Sequence, residues 1–246
     1  MAARITLLVL IGLISTGMFG QTAPEPAAVT SDSLKMKIEI WSDVVCPFCY
    51  IGKRKLEQAL EQFPQRDQVE IIWKSFQLDP GTPSNGGNYL QHLSERKGWS
   101  LDYTKQVTSQ VTQMAAGVGL TYHFEKAILA NSFDAHRLAH VAAKHGLQDK
   151  ASEALFKAHF VEGKDIANHQ TLVEIGQSIG LDPVEIKNAL ENKLYEEEIR
   201  QEIAEAQTLR ISGVPFFVFD RKFAVSGAQD SSVFLQTLQR ALEARQ

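Results

Sequence analysis

The sequence has little cysteine, no excess of basic charge and no second long apolar run after its first twenty positions. Only 2 of its 246 residues are cysteine, which excludes a scaffold stapled by disulfides. Lys+Arg 25 against Asp+Glu 29 gives a net charge of −4. The basic footprint that grips a phosphate backbone is therefore missing, and no nucleic-acid partner is expected. Past residue 20 nothing approaches the ~20 apolar residues of a membrane-spanning helix, so no stable membrane insertion is expected of the mature chain. What is present, 44% apolar and 22% charged residues, suffices to bury one sizeable core or two smaller ones.

Residues 1–20 open with Arg4, run through an apolar block at 5–14 and close on the small residues Ser15, Thr16 and Gly17. That is the order of a secretory signal peptide. An uncleaved anchor helix is the alternative, and it leaves the same domain outside the cytoplasm. Residues 21–35 read as a flexible linker rich in Pro, Ala, Ser and Thr. The expected location is the periplasm or the extracellular medium.

From Met36 the pattern is a half-buried strand, with Ile38 and Ile40 inward and Lys37 and Glu39 outward. A helix follows at once over 47–60, and Pro47 suits its first turn, where a missing N–H leaves no intrahelical bond unmade. A second strand is predicted over 69–76, and the Gly/Asn-rich stretch 84–88 is a loop. The sequence is then helical to about 192, over 101–118, 131–145, 151–161 and 171–179, with a further helix opened by Asp182 and Pro183. Another is predicted over 194–209. After Gly213, strands at 216–219 and 223–227 precede a last amphipathic helix capped by Asp230 or Ser231. The expected organisation is one domain made of 36–80 and 193–246, interrupted by a helical domain at 81–192.

The two cysteines, Cys46 and Cys49, lie three positions apart at the junction of the first strand and first helix. A helix N-terminus leaves backbone N–H groups unpaired and carries the positive end of the dipole, so it favours an anion. A thiolate is such an anion, and sites of this kind lower a cysteine pKa from ~8.5 toward ~3.5–7.5. Cys46 is the expected nucleophile; Cys49, one turn on, is the expected resolving thiol. Pro47 and Phe48 between them shape the turn and supply no titrating group. Asp43, three residues before Cys46, would oppose a negative charge on it. Three other readings are weaker. Zinc needs two more ligands, and the one neat pair, His136 and His140, lies about ninety positions away. A disulfide closing so short a loop stabilises little, and inert free thiols are rare in exported proteins. No metal and no cofactor is called for.

Val214-Pro215 is the second element. From the residues alone Pro215 is a turn residue; a cis bond there would turn backbone groups toward the thiols, where a substrate peptide could pair as an added strand. Pro47, Phe48, Val214 and Pro215 are the candidate substrate-binding residues.

Together, Cys-Pro-Phe-Cys after a first strand, an inserted helical block and Gly213-Val214-Pro215-Phe216-Phe217 resemble the DsbA family. The stretches 42–53, 131–137 and 162–166 resemble its FrnE-like branch, which also contains 2-hydroxychromene-2-carboxylate isomerases. The resemblance covers about 36–242. It implies an α/β thioredoxin-like fold, a central mixed sheet with flanking helices and an inserted all-α domain, and a cis bond at Pro215. It implies a thiol-disulfide oxidoreductase, an oxidase or isomerase, acting on substrate proteins with thiols or disulfides, which the N-terminal segment places outside the cytoplasm. Cys49 is the last cysteine, so an external redox partner must restore the pair. Two alternatives stay open: a glutathione-dependent isomerase or transferase acting on a small molecule, in which Ser typically stands where this chain has Cys46, and a chaperone-like binding module. Asn131, Asp134 and Arg137 either line a groove near the thiols or cap a helix and pair charges. Lys53, Arg54 and Lys55 read as a solvated basic face.

Overall fold

The structure, a computed structural model, describes residues 35–84 and 86–245. The predicted signal segment and nearly all of the linker lie outside the described residues. The order is β1 (Met36–Ser42), α1 (Pro47–Glu61), β2 (Val69–Ser75), α2 (Tyr89–Lys97), α3 (Leu101–Ala116), α4 (Phe133–Lys144), α5 (Gln148–Phe160), α6 (His169–Ser178), α7 (Pro183–Glu191), α8 (Glu196–Thr208), β3 (Phe216–Phe219), β4 (Phe223–Ser226) and α9 (Ser231–Glu243). The strands form one mixed sheet in the order β2-β1-β3-β4, with β1 parallel to β2 and antiparallel to β3. The central mixed sheet, the flanking helices and the helices inserted between β2 and β3 are as expected. Among the described residues no helix is long and apolar enough to cross a membrane.

β1 is not half-buried. Ile38 and Ile40 face α1 and α9 in one apolar core with Phe217, Phe219 and Phe234. The opposite face is covered too, because α8 lies across it and packs Ala206 against Trp41 and Val218. Glu39 is therefore buried, paired with Arg221, and the Trp41 indole donates to Glu202 O at 3.0 Å. Alternation at the start of β1 reported only one of its two cores.

The outer edge of β2 is closed by side chains. Gln148 accepts from Trp73 N at 3.1 Å and donates to Trp73 O at 3.0 Å, and the Glu202 carboxylate accepts from Ser75 N at 2.7 Å. These bonds occupy groups that an open edge offers to a foreign strand. Glu202 is also hydrogen-bonded to His140, and despite burial its pKa is pulled down to about 2.

The inserted helices divide between two cores. α4 to α7 enclose their own, around Leu138, Leu155, Leu172 and Ile186. Val111 and Ala115 of α3, Phe156 and Phe160 of α5, and Tyr122 and Phe124 between them join the core of the sheet. Where these parts meet, Gly163 has φ +65, and a Cβ there would lie 2.7 Å from both Cβ and the carbonyl oxygen of Lys126. Left-handed backbone and steric overlap each cost about 1–3 kcal/mol. Gly163→Ala should therefore lower the melting temperature by roughly 5–15 °C; a change below about 1 °C in a thermal scan would contradict this close approach.

Candidate active site

β1 reaches α1 through residues 43–46, and the buried Asp43 fixes this turn. Its carbonyl accepts from Cys46 N at 3.0 Å, and its carboxylate accepts from Leu78 N at 2.7 Å and, more weakly, from Val45 N at 3.4 Å. One carboxylate oxygen is thereby committed to a backbone N–H at the exit of β2, and the other, 3.8 Å from His136 Nε2, to one in its own turn. Cys46 becomes the N-cap of α1 in extended conformation, Pro47 takes the first helical position, and no side chain caps the helix. The positive end of α1 is left to the Cys46 sulfur.

The Val214–Pro215 bond is cis, and the Cys46 thiol donates to Val214 O at 3.4 Å. Gly52 lets α1 seat here, since a Cβ would stand 3.0 Å from Pro215 Cγ and 3.1 Å from Phe217 Cζ. Both cysteines are free thiols. Cys49 is 1% exposed; burial pushes its thiol well up, contact with and charge on Cys46 push the same way, and hydrogen bonds from Ser42 and the Asp43 backbone oppose them. Cys46 is only 3% exposed, but it forms part of the wall of a cavity of about 370 Å³, beside Pro47, Phe48 and Val214. The Pro47 carbonyl accepts from the Tyr122 hydroxyl at 2.7 Å. All six candidate residues are thus gathered at one end of α1: Cys46, Pro47, Phe48 and Val214 at the cavity, Cys49 sealed behind Cys46, and Pro215 against Gly52.

The far wall of the cavity was not legible in the sequence. It is built by α2 and α3, with Tyr89, Leu93, Val107 and Val111 facing the thiol side. α2 was not predicted as a separate helix, although its signals were there: Asn88 caps it, accepting from Gln91 N at 2.9 Å, and Gly98 ends it with φ +64. In sequence Asn88 reads as the end of a Gly/Asn loop.

Three groups belong elsewhere. Lys53, Arg54 and Lys55 are not a solvated face: Lys53 is 4% exposed and paired with Glu57, Asp149 and Glu153. Arg54 donates to Glu153 at 2.9 Å, and Lys55 pairs with Asp230 at 2.9 Å. α1 lies between α5 and α9, whose carboxylates meet these cations, so Asp230 serves Lys55 and its side chain caps nothing. Asn131 does not line the cavity; it holds the loop after β2, donating to the carbonyls of Pro80 and Thr82 at 3.0 and 3.1 Å. Arg137 joins Asp134, the Leu194 carbonyl and Glu196. His136 and His140 have separate partners, the Phe76 carbonyl and Glu202, and no cluster of metal ligands occurs among the described residues.

A thiol pair at the N-terminus of the first helix, beside a cis-proline that opens the inner strand β3 of a mixed sheet, defines a thioredoxin-fold dithiol centre. The DSBA-like thioredoxin domain family matches residues 37–239, and the chain belongs to that family. Its structure superposes, at TM-score 0.81 and 37% identity over 86% of this chain and 92% of the other, on a Streptomyces coelicolor protein crystallised as a probable DsbA oxidoreductase. The uncharacterized protein YwbO of Bacillus subtilis is 27% identical over 82% of this chain and 94% of its own length. A 2-hydroxychromene-2-carboxylate isomerase shares the fold at TM-score 0.62 and 13% identity, over 85% and 97% of the two chains. The chain is a DsbA-like thiol-disulfide oxidoreductase.

One buried group near the site titrates abnormally. His159 is fully buried against the rings of Phe160 and Tyr89, at centroid distances of 4.5 and 5.9 Å, and neither ring nitrogen has a hydrogen-bond partner. Burial depresses its pKa from 6.5 to about 4, against the pull of Asp43. The unfolded chain therefore takes up a proton that the folded protein refuses, and stability falls as pH drops from about 6.5 to about 4. Between pH 7 and 4.5, wild type should lose about 2–3 kcal/mol more than His159→Phe in urea titrations. Equal losses would show that the imidazole is not sealed in this way.

Proposed function

We propose that the chain is exported and exchanges disulfides with substrate polypeptides through Cys46 and Cys49, as an oxidase or isomerase of the cell envelope. One observation carries the reading: Cys46 sits at the positive end of α1 and opens on a cavity beside Val214, while Cys49 is sealed one turn behind it. Only Cys46 can be approached, and only Cys49 can approach it from within. The apolar segment 1–20 supports export. The helices between 81 and 192 are taken as the insert and the rest of 36–246 as the redox domain.

In the oxidising direction a substrate thiolate attacks Cys46 Sγ, the Cys46–Cys49 bond breaks and Cys49 leaves as a thiolate that takes up a proton. A second substrate thiolate then attacks the substrate sulfur of the mixed disulfide and expels Cys46. The substrate gains one disulfide, the protein gains two thiols, and an external oxidant restores the pair. In isomerisation the Cys46 thiolate attacks a mispaired disulfide and releases one substrate thiolate; a substrate thiolate then re-forms a disulfide by expelling Cys46, or Cys49 attacks Cys46 Sγ, closing the Cys46–Cys49 bond and releasing the substrate as a dithiol. Val214 and Pro215 hold the substrate backbone, and Pro47 and Phe48 meet its side chains.

Cys46→Ser should reduce oxidation or refolding of a reduced test protein to the uncatalysed background. Given a substrate that already carries a disulfide, Cys49→Ser should accumulate a mixed disulfide through Cys46 that is visible by mass spectrometry. Unchanged turnover in Cys46→Ser would end the proposal. Full activity in Cys49→Ser, with tight glutathione binding, would favour a glutathione-dependent reaction on a small molecule instead.

A further inference from the structure

A sulfur that resolves or leaves a disulfide must give up or take up a proton, yet Cys49 is 1% exposed and has Cys46 between it and the substrate side. On its other side the fold is polar. The Ser42 side chain, at the end of β1, is hydrogen-bonded to the Cys49 sulfur and favours its anion. Ser42 also lines a small second cavity of about 20 Å³, between the ends of β1 and β2 and the helices α4 and α5. Lys74 and Gln148 in its wall are half-buried, and the other lining residues are buried. A space of that size holds one water, provided two to four polar groups meet it.

The polar groups of this wall divide by what they already do. Gln148 is committed to the Trp73 backbone, and Ser152 donates to the Gln148 carbonyl at 3.1 Å. Ser75 Oγ lies 3.3 Å from His140 Nε2 and, like Ser42, keeps hydroxyl capacity for a further bond. His136 Nε2 lies 3.0 Å from the Phe76 carbonyl. A carbonyl only accepts, so that nitrogen carries the proton, and Nδ1 is the acceptor of the neutral ring. The buried Asp43 carboxylate, 3.8 Å from Nε2, supplies the counter-charge when the ring takes a second proton.

We propose that this cavity binds one water, and that Ser42, the water and His136 form the proton route of Cys49. The proposal deepens the exchange reading and rests on it, since it needs Cys49 to act as a resolving or leaving sulfur. When Cys49 resolves a mixed disulfide, its thiol proton passes to Ser42 Oγ, the Ser42 proton to the water and a water proton to His136 Nδ1. The Cys49 anion attacks Cys46 Sγ, the bond from Cys46 to the substrate breaks, and the substrate sulfur leaves with the electron pair. His136 then returns its proton to the water and so to solvent past Lys74. When a substrate thiolate expels Cys49, the same route delivers a proton to it. Ser42 touches the reacting sulfur; His136 is a positioning residue that acts through the water.

The test uses the reduced full-length protein and dipyridyl disulfide, with the released thiopyridone followed by absorbance in stopped flow. Attack by Cys46 releases one thiopyridone at a rate proportional to reagent, and attack by Cys49 on Cys46 releases a second at a rate independent of it. Ser42→Ala and His136→Gln should each slow the second phase about ten- to a hundredfold at neutral pH, toward the low end of what positioned proton transfer supplies, and leave the first within about twofold. Ala139→Val fills the cavity while keeping all three polar groups, and should do the same. Of the titrating groups near the Cys49 sulfur, Cys46 is consumed in the first step and Tyr122 stays neutral because burial pushes it well up. The pH profile of the second phase therefore reads Cys49. The deficits should shrink as pH rises, because a thiol already ionised has no proton to hand on, whereas a displaced sulfur is slow at every pH. A second phase within about twofold of wild type in Ser42→Ala or in Ala139→Val would overturn the inference, as would a deficit that persists at high pH. If Ser42→Ala does not fold, Ala139→Val decides alone. Absence of the first phase in the wild type would instead overturn the exchange reaction on which the route depends.

Discussion

The structure depends on how abruptly β1 gives way to α1. Four residues must reverse the chain from the centre of a sheet into a helix, and an acidic side chain is buried to hold them there. Asp43 is tolerated without solvent because backbone N–H groups satisfy it, one in its own turn and one at the exit of β2. A buried carboxylate that accepts backbone N–H bonds costs far less than one left without partners. Its bond to Leu78 also ties the thiol turn to the strand that runs parallel to β1. The position of Cys46 is thus fixed by the sheet, not by the loop in which it lies.

The same helix is gripped from both sides. Tyr50 stacks on Phe156 at 5.1 Å, and its hydroxyl bonds to Glu153 at 2.5 Å, while Lys53 and Arg54 meet carboxylates of α5. For Lys53 burial works against the charge, yet Asp149, then Glu57 and Glu153, outweigh it and raise the pKa. The arrangement explains why the helical insert and the redox domain do not part cleanly. Residues from α3 and α5 complete the core under the thiols, and α2 and α3 then stand over the cavity at a set distance. A cation that reads as solubilising in sequence is here the fastening between two halves of the protein.

Much of the fold was legible because its signals are local. The strand-to-helix junction, Pro47 at the first helical position, the Asp182–Pro183 start of α7 and the two C-terminal strands all carry their reasons within a few residues. Asp182 accepts from Val184 N at 2.8 Å, as a capping residue should. The reading failed where the deciding partner is far away in sequence. Glu39 looks exposed until Arg221 and α8 arrive, Lys53 looks solvated until α5 does, and Val107 and Val111 look like ordinary core until the space in front of them is seen to be open. The thiol pair stood out because two residues with one chemistry lie three apart; the pocket did not, because its walls come from six separate segments.

The two thiols differ in the property that orders a two-step exchange. Cys49 is held protonated chiefly by burial, but contact with Cys46 and charge on it add to the effect. Both contributions from Cys46 require a free thiol or thiolate at that position. Once Cys46 is bonded to a substrate sulfur they vanish, while the hydrogen bonds from Ser42 and the Asp43 backbone, which favour the Cys49 anion, remain. In the proposed isomerisation, the direction in which Cys49 attacks the mixed disulfide, Cys49 is therefore easier to ionise than in the free dithiol, where an extra thiolate serves no step. The change needs no additional catalytic base, since it follows from setting Cys49 in the core within contact of Cys46.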